Sequence, residues 1–95
     1  MSPREVRVAR NEVLSREVNE RIAELATGEG FYIVCECANT GCEQKLLVPI
    51  AEYRRLRAHP RWFLIAPDHA VGEDEDVVEQ HGSYDVVEKH EDAMP

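Results

Sequence analysis

The chain contains three cysteines, and all of them lie in one segment of eight residues: Cys35, Cys37 and Cys42. Thiolates at such short spacing are typical ligands of zinc, which takes four tetrahedral ligands in structural sites. Because side chains two residues apart in a β-strand point to the same face, Cys35 and Cys37 are expected to point together. The Asn and Gly within 38–41 are typical of a turn, which would bring Cys42 back over the first two sulfurs.

Two other uses of the thiols remain open. Free cysteines are often small buried hydrophobic residues, although three around one turn are unusual. A disulfide between Cys35 and Cys37 would be strained, whereas a bridge from Cys42 to either of them would leave one free thiol. The C-x-C-x4-C spacing therefore favours a metal and keeps redox-active thiols as the alternative.

The fourth ligand has to be another residue type, and four histidines can supply it. His69 comes first, because it follows an apolar strand candidate and Pro67 fixes the backbone before it. His59 comes second, at the predicted end of a short helix, where a histidine is also favourable without a metal. His81, beside a predicted hairpin tip, and His90, in the tail, rank third and fourth. A carboxylate or a water molecule is a less common choice.

The N-terminal part of the chain predicts a long helix over residues 2–27. Ser2, Pro3 and Glu5 form a typical helix start with a capping box, and Gly28 is typical of the position after a helix end. Apolar residues recur within the helix every three or four positions, at Leu14, Val18, Ile22 and Leu25. We expect this stripe to pack on the core, with a partner helix as the alternative. At ~1.5 Å per residue the helix exceeds what a small sheet covers, so its first turns are expected to project, kink or contact a partner.

The remainder predicts a small, mostly antiparallel sheet over residues 31–89, interrupted by a short helix over 50–58, with a tail at 90–95. The predicted strands are 31–37, 45–48, 61–66, 77–79 and 84–88. The strand at 61–66 is apolar on both faces and is expected to be central. The acidic run at 73–76 is expected to be a solvated loop. The chain of 95 residues is thus predicted to be a single α+β domain with a zinc-stapled hairpin.

The charge of the chain restricts its partners. A formal net charge of −8 disfavours binding to a nucleic acid backbone. The one concentrated basic segment contains Arg54, Arg55, Arg57 and Arg61; it predicts either an anion or acidic-partner patch, or a solvated helix face balanced by nearby acids. No apolar run is long enough to span a membrane, and the polar N-terminus does not resemble a signal peptide. A cytoplasmic location with reduced thiols is therefore expected.

Several segments together resemble a group of small uncharacterised bacterial proteins that carry an F-x-C-E-C-x4-C segment and a downstream P-x-H. The matching stretches are I-V-C-E-C, E-Y-R-R-L-R, W-F-L-I-A-P-D-H and Y-D-V-V-E-K, spread over nearly the whole chain. The resemblance implies a metal site of three cysteines and one histidine, carried here by Cys35, Cys37, Cys42 and His69. Ile33 replaces a phenylalanine of the pattern and Asp68 replaces a glycine, and Asp68 could then orient His69 through a hydrogen bond.

These features predict a small zinc-binding module that acts through a protein partner in a regulatory role, with a thiol or metal redox sensor as the alternative. An enzyme is less expected, because H-E-x-x-H and the signature of the zinc deaminases are both absent. Glu36 is the nearest candidate base, and its strand position directs it away from the two neighbouring cysteines. The oligomeric state stays open, and a dimer through the N-terminal helix is one option.

Overall fold

The computed structural model describes residues 3–26, 29–37, 42–67, 69 and 74–93, with side chains from residue 12 to residue 92. The elements are α1 (Pro3–Leu25), β1 (Gly30–Val34), β2 (Lys45–Pro49), α2 (Ile50–Arg57), β3 (Trp62–Ile65), β4 (Glu75–Gln80), β5 (Asp85–Lys89) and a final 3₁₀ turn, Glu91–Ala93. Every strand pair among the described residues is antiparallel. The predicted α+β class is confirmed.

β1 and β2 form a hairpin whose buried and exposed positions alternate. Phe31 lies opposite Val48 and Ile33 lies opposite Leu46, and all four side chains are buried. This alternation follows from the two-residue period of a strand with one face on the core. Cys35 comes two residues after Ile33, so its side chain continues on the buried face.

The second sheet has the strand order β3-β5-β4. The expectation that the strand at 61–66 is central is therefore wrong, because β5 is the central strand and β3 lies at the end. β3 is nevertheless buried on both faces, and its free side is partly closed by the N–H of Glu36, which donates to the carbonyl of Leu64 at 2.8 Å. The predicted hairpin between β4 and β5 is confirmed, and its turn contains Gly82 with a φ of 82°, a conformation that favours glycine.

The short helix α2, predicted over 50–58, closes the core over the first hairpin. Its buried side chains are Tyr53 and Leu56. The ring of Tyr53 meets the ring of Phe31 edge to face, with 5.2 Å between centroids. The guanidinium of Arg57 lies over the same Tyr53 ring, 4.8 Å from its centroid. The helix therefore contributes both apolar contact and one arginine to the interior.

The outward face of α1 is apolar, contrary to the sequence prediction. Leu14, Val18 and Leu25 are 52 %, 50 % and 85 % exposed, so the expected packing of this stripe on the core is wrong for three of its four members. Ile22 is the one member that packs against the core. Neither α1 nor any other described helix is long and apolar enough to cross a membrane.

The inward face of α1 is polar instead, and its polar groups have partners in the rest of the fold. Glu12 and Asn19 are almost completely buried. Arg16 donates to the carbonyl of Pro60, and its guanidinium lies 5.0 Å from the centroid of the Phe63 ring. Because a buried polar group is costly unless it is hydrogen-bonded, these specific partners fix which face of the helix turns inward.

Lys89 ends the central strand and is fully buried among three carboxylates. Its Nζ donates to Glu12 at 2.5 Å and lies 3.3 Å from Asp74 and 3.8 Å from Glu75. The expectation of a solvated loop over 73–76 is therefore wrong for Asp74 and Glu75, which pair with a buried cation. The contact also ties α1 to the second sheet.

The same cluster predicts a pH dependence of stability that comes from Glu12. Burial raises the pKa of Glu12 to about 7, since a single ammonium group cannot neutralise three carboxylates. Between the ordinary value of 4.5 and about 7, the folded state holds a proton that the unfolded state has released. The free energy of unfolding is therefore expected to fall as the pH rises through this window.

We expect Glu12→Gln to abolish about 2 kcal/mol of that fall, as measured by urea unfolding at about pH 5 and about pH 7.5. Glu24→Gln removes an exposed carboxylate from the same helix and serves as the matched control, which should keep the wild-type profile. An identical pH profile for wild type and Glu12→Gln would contradict the prediction.

Candidate metal centre

Four potential metal ligands from three parts of the chain meet at one point. One ligand atom from each of Cys35, Cys37, Cys42 and His69 lies within 4.8 Å of the others. The first two cysteines follow β1, Cys42 precedes β2, and His69 follows β3. The structure thus brings together the four residues that the sequence indicated. They meet at a point between the two sheets.

Cys35 is the buried member of the group, with 6 % of its surface exposed. The backbone N–H of Ala66 donates to its Sγ at 3.2 Å, and the N–H of Cys35 donates to the carbonyl of Gln44 at 3.1 Å. Burial raises the pKa of the Cys35 thiol to about 12, because a thiolate is poorly solvated in the interior. A bound metal cation would supply the positive charge that this thiolate needs.

Cys42 and His69 lie side by side at the more accessible end of the group. The Sγ of Cys42 is 3.4 Å from Nε2 of His69, and the backbone N–H of His69 donates to the carbonyl of Ala66 at 3.4 Å. The backbone N–H of Gln44, followed by the His69 ring, lowers the pKa of Cys42 to about 7. The lowered pKa favours the thiolate form of Cys42, which is the form that binds a metal.

The spacing of the ligand atoms fits a tetrahedral ion after a small contraction. Zinc–sulfur bonds of about 2.3 Å and zinc–nitrogen bonds of about 2.0–2.1 Å place neighbouring tetrahedral ligands roughly 3.5–3.8 Å apart. The 3.4 Å between Cys42 and His69 is close to the lower end of this range, and the widest separation in the group does not exceed 4.8 Å. Three sulfurs and one imidazole are also a common donor set of structural zinc sites.

The three other histidines lie elsewhere and have partners of their own. The ring of His59 stacks on Trp62 with 3.7 Å between centroids. The Nε2 of His81 is 2.7 Å from a carboxylate oxygen of Glu79, and His90 is 2.9 Å from Asp76. His69, ranked first as the fourth ligand, is thus the histidine that lies with the three thiols, and its role as a ligand stays a prediction.

Glu36 lies between two of the cysteines and is fully buried. One carboxylate oxygen accepts the backbone N–H of Leu64 at 2.9 Å. The other accepts the side-chain N–H of Asn19 at 2.7 Å and the guanidinium of Arg57. Burial raises the pKa of Glu36, while Arg57 acts in the opposite direction. Because both oxygens are occupied by protein donors, Glu36 fixes the segment between the cysteines and is not presented to a substrate.

Asn19 attaches the same segment to α1. Its side-chain amide accepts the N–H of Val34 and donates to the carbonyl of Val34, both at 2.8 Å. The amide thus replaces a neighbouring strand at the edge of β1, just before the first cysteine. Asn19 and Glu36 together connect the predicted metal ligands to both helices, and the sequence analysis assigned no role of this kind to either residue.

The structure separates the members of the predicted basic patch. Arg55 binds the Glu79 carboxylate with two hydrogen bonds of 2.9 and 2.7 Å and also pairs with Glu52. The side chain of Arg57 is 9 % exposed and pairs with Glu36. Arg61 donates to the carbonyl of Lys89, and Arg54 is exposed. Two of the four cations, Arg55 and Arg57, are thus paired with carboxylates of the fold, which favours the alternative of balanced charges over an open anion patch.

Four features named from the sequence lie outside the described residues. Two of them are the turn at 38–41 between the second and third cysteine, and Asp68, which is expected to orient His69. The other two are Ser2 and Gly28, expected at the two ends of the first helix. Comparisons with models of protein families, with curated proteins and with solved structures found no match for this chain.

Proposed function

We propose that this protein binds one zinc ion through Cys35, Cys37, Cys42 and His69, and that the ion stabilises a small module that acts by binding another protein. The observation that carries the proposal is the convergence of these four donor atoms within 4.8 Å. Three thiols and an imidazole suit zinc better than calcium or magnesium, which prefer oxygen ligands.

A structural role is favoured over a catalytic one. Four protein ligands fill a tetrahedral zinc site, whereas catalytic zinc keeps one position open for water or substrate. The nearest carboxylate in sequence is that of Glu36. Both of its oxygens accept hydrogen bonds from protein donors, from Leu64, Asn19 and Arg57, so it does not contact a substrate as a general base. A zinc ion here would join the ends of β1 and β3 and the start of β2, so its binding energy would be folding energy.

Native mass spectrometry of protein purified without added metal or chelator tests the proposal directly. One zinc ion per chain is the expected result. A metal-free mass that is lighter by two hydrogen atoms would show a disulfide and would overturn the zinc site. A metal-free mass with all three thiols reduced would overturn it as well.

The identity of the histidine ligand gives a second prediction. We expect His69→Ala to weaken zinc binding by about 10–100-fold or more, because it removes one of four ligands. His59→Ala is the matched control, since His59 stacks on Trp62 away from the thiols and should leave zinc affinity unchanged. Competition with a chromophoric chelator measures both affinities, and a larger loss for His59→Ala would contradict the assignment.

A redox sensor is the second candidate function, and the accessibility of two thiols favours it. Cys37 and Cys42 are partly exposed, in contrast to Cys35. Two electrons from this pair of thiols would reduce one hydrogen peroxide to two water molecules and leave a disulfide, with release of the ion. Retention of zinc after stoichiometric peroxide would exclude this candidate, whereas reversible release would favour it.

We further propose a cytoplasmic location and a protein as the partner. A reducing compartment keeps three thiols available to a metal. A chain of net charge −8 also has little attraction for a nucleic acid backbone. The resemblance to small bacterial proteins with the same cysteine spacing agrees with the proposed ligand set and specifies no substrate.

A further inference from the structure

An apolar groove lies on the outward face of α1. Six residues line it, and its volume is about 440 Å³. They are Leu14, Glu17, Val18, Arg21, Ile22 and Leu25. Three of the four apolar members are at least half exposed, although apolar residues on a helix normally turn toward the core. The fold therefore leaves an interaction surface on this helix.

The six residues follow the i, i+3, i+4 spacing of one helix face, so their positions are symmetric about the point between residues 19 and 20. In an antiparallel pair of α1 helices related by a two-fold axis at that point, Leu14 of one copy faces Leu25 of the other. The ridges of one helix can then occupy the groove of the other.

The charges in the groove are self-complementary as well. Glu17 and Arg21 carry opposite charges, and neither forms an ion pair with any other described residue. An antiparallel pair centred between positions 19 and 20 places Glu17 of each copy next to Arg21 of the other. One acid and one base in each copy thus give two intermolecular ion pairs around an apolar centre.

We propose that two copies of this chain associate through this stripe, with their α1 helices antiparallel. The inference goes beyond metal binding and names a second copy as one protein partner. Each copy contributes about six residues, which is fewer than the roughly 20–30 of a standard interface, and the negative net charge of each copy opposes contact. A weak dimer follows, with a dissociation constant on the order of 10 µM.

Sedimentation equilibrium over a range from about 1 µM to about 1 mM tests the dimer. We expect the wild type to change from monomer to dimer and Val18→Glu to stay monomeric over the whole range. Leu47→Glu is the matched control, because Leu47 is 48 % exposed against 50 % for Val18 and lies on the first hairpin. It should dimerise like the wild type. Zinc content of the same samples reports the metal site separately, so a monomer that binds zinc overturns this inference and leaves the zinc proposal intact.

A charge-reversal pair tests the antiparallel arrangement itself. Glu17→Arg and Arg21→Glu each place like charges against each other in a homodimer, so each should weaken self-association at least about tenfold. Mixing the two variants pairs every acid with a base and should form a heterodimer at about the wild-type affinity. A mixture that remains monomeric, or single variants that dimerise normally, would overturn the arrangement. A wild type that is monomeric at about 1 mM would overturn the proposal as a whole.

Discussion

Cys37→Ser is expected to lose zinc and to unfold near physiological temperature. A serine hydroxyl is a poor zinc ligand, and the site would then offer two thiolates and one imidazole. A chain of 95 residues has a total stability of only about 5–15 kcal/mol. The loss of about 5 kcal/mol of metal-linked folding energy would therefore remove roughly a third of it to all of it. Thermal unfolding followed by circular dichroism, with zinc content measured on the same sample, checks both parts.

A chelator provides the control for this prediction. Removal of zinc from the wild type should lower the melting temperature to about that of Cys37→Ser, and the same chelator should leave the variant unchanged. Two perturbations that act through one ion cannot add, whereas independent effects would sum. A Cys37→Ser protein that retains its zinc, or a chelated wild type that keeps its melting temperature, would show that the ion does not stabilise this fold.

The sequence predicts most of the strands and the convergence of three cysteines with His69, and part of this follows local rules. Cys35 comes two residues after Ile33 and stays buried like it. Cys42 lies three residues before β2, the partner strand of β1. His69 is different, because it follows β3 in the second sheet and reaches the cysteines only through the packing of the two sheets.

The orientation of α1 could not be predicted in the same way. A hydrophobic stripe normally identifies the inward face, but here Glu12 and Asn19 turn inward because Lys89, Val34 and Glu36 offer them buried partners. Those partners come from β1, its C-terminal extension and β5, and sequence periodicity contains no information about such distant pairs.

The inward face of the helix is visible in the sequence only in hindsight. Glu12, Arg16 and Asn19 lie along one line of the helix at spacings of four and three. Such a line of polar residues is typical of a solvated face, and only their buried partners in the fold show that this one points inward. The exposed apolar stripe follows from the buried polar face, because the helix turns its polar residues toward the core and its apolar residues toward the solvent.

Glu36→Leu is the second substitution with a large expected effect, about 3–5 kcal/mol of unfolding free energy. It removes the acceptor of three donors at once, from Leu64, Asn19 and Arg57. Arg57 would then remain as a buried cation without its partner, which is the costly outcome when one member of a buried pair is deleted. Chemical denaturation in the presence of saturating zinc measures the loss apart from any change in metal content.

The same substitution should also weaken zinc binding by about 10–100-fold, because Glu36 fixes the backbone between Cys35 and Cys37. Glu20→Leu is the matched control, since Glu20 lies 3.9 Å from the same Arg57 but is 52 % exposed. It should cost less than about 1 kcal/mol.

The double variant Glu36→Leu/Arg57→Leu separates the charge from the hydrogen bonds. It removes the unpaired cation and should recover part of the stability lost in Glu36→Leu, while the donors of Leu64 and Asn19 remain without their acceptor. No recovery in the double variant would place the cost in those two hydrogen bonds. A Glu36→Leu protein as stable as Glu20→Leu would mean that the buried carboxylate does not hold the cysteine segment in place.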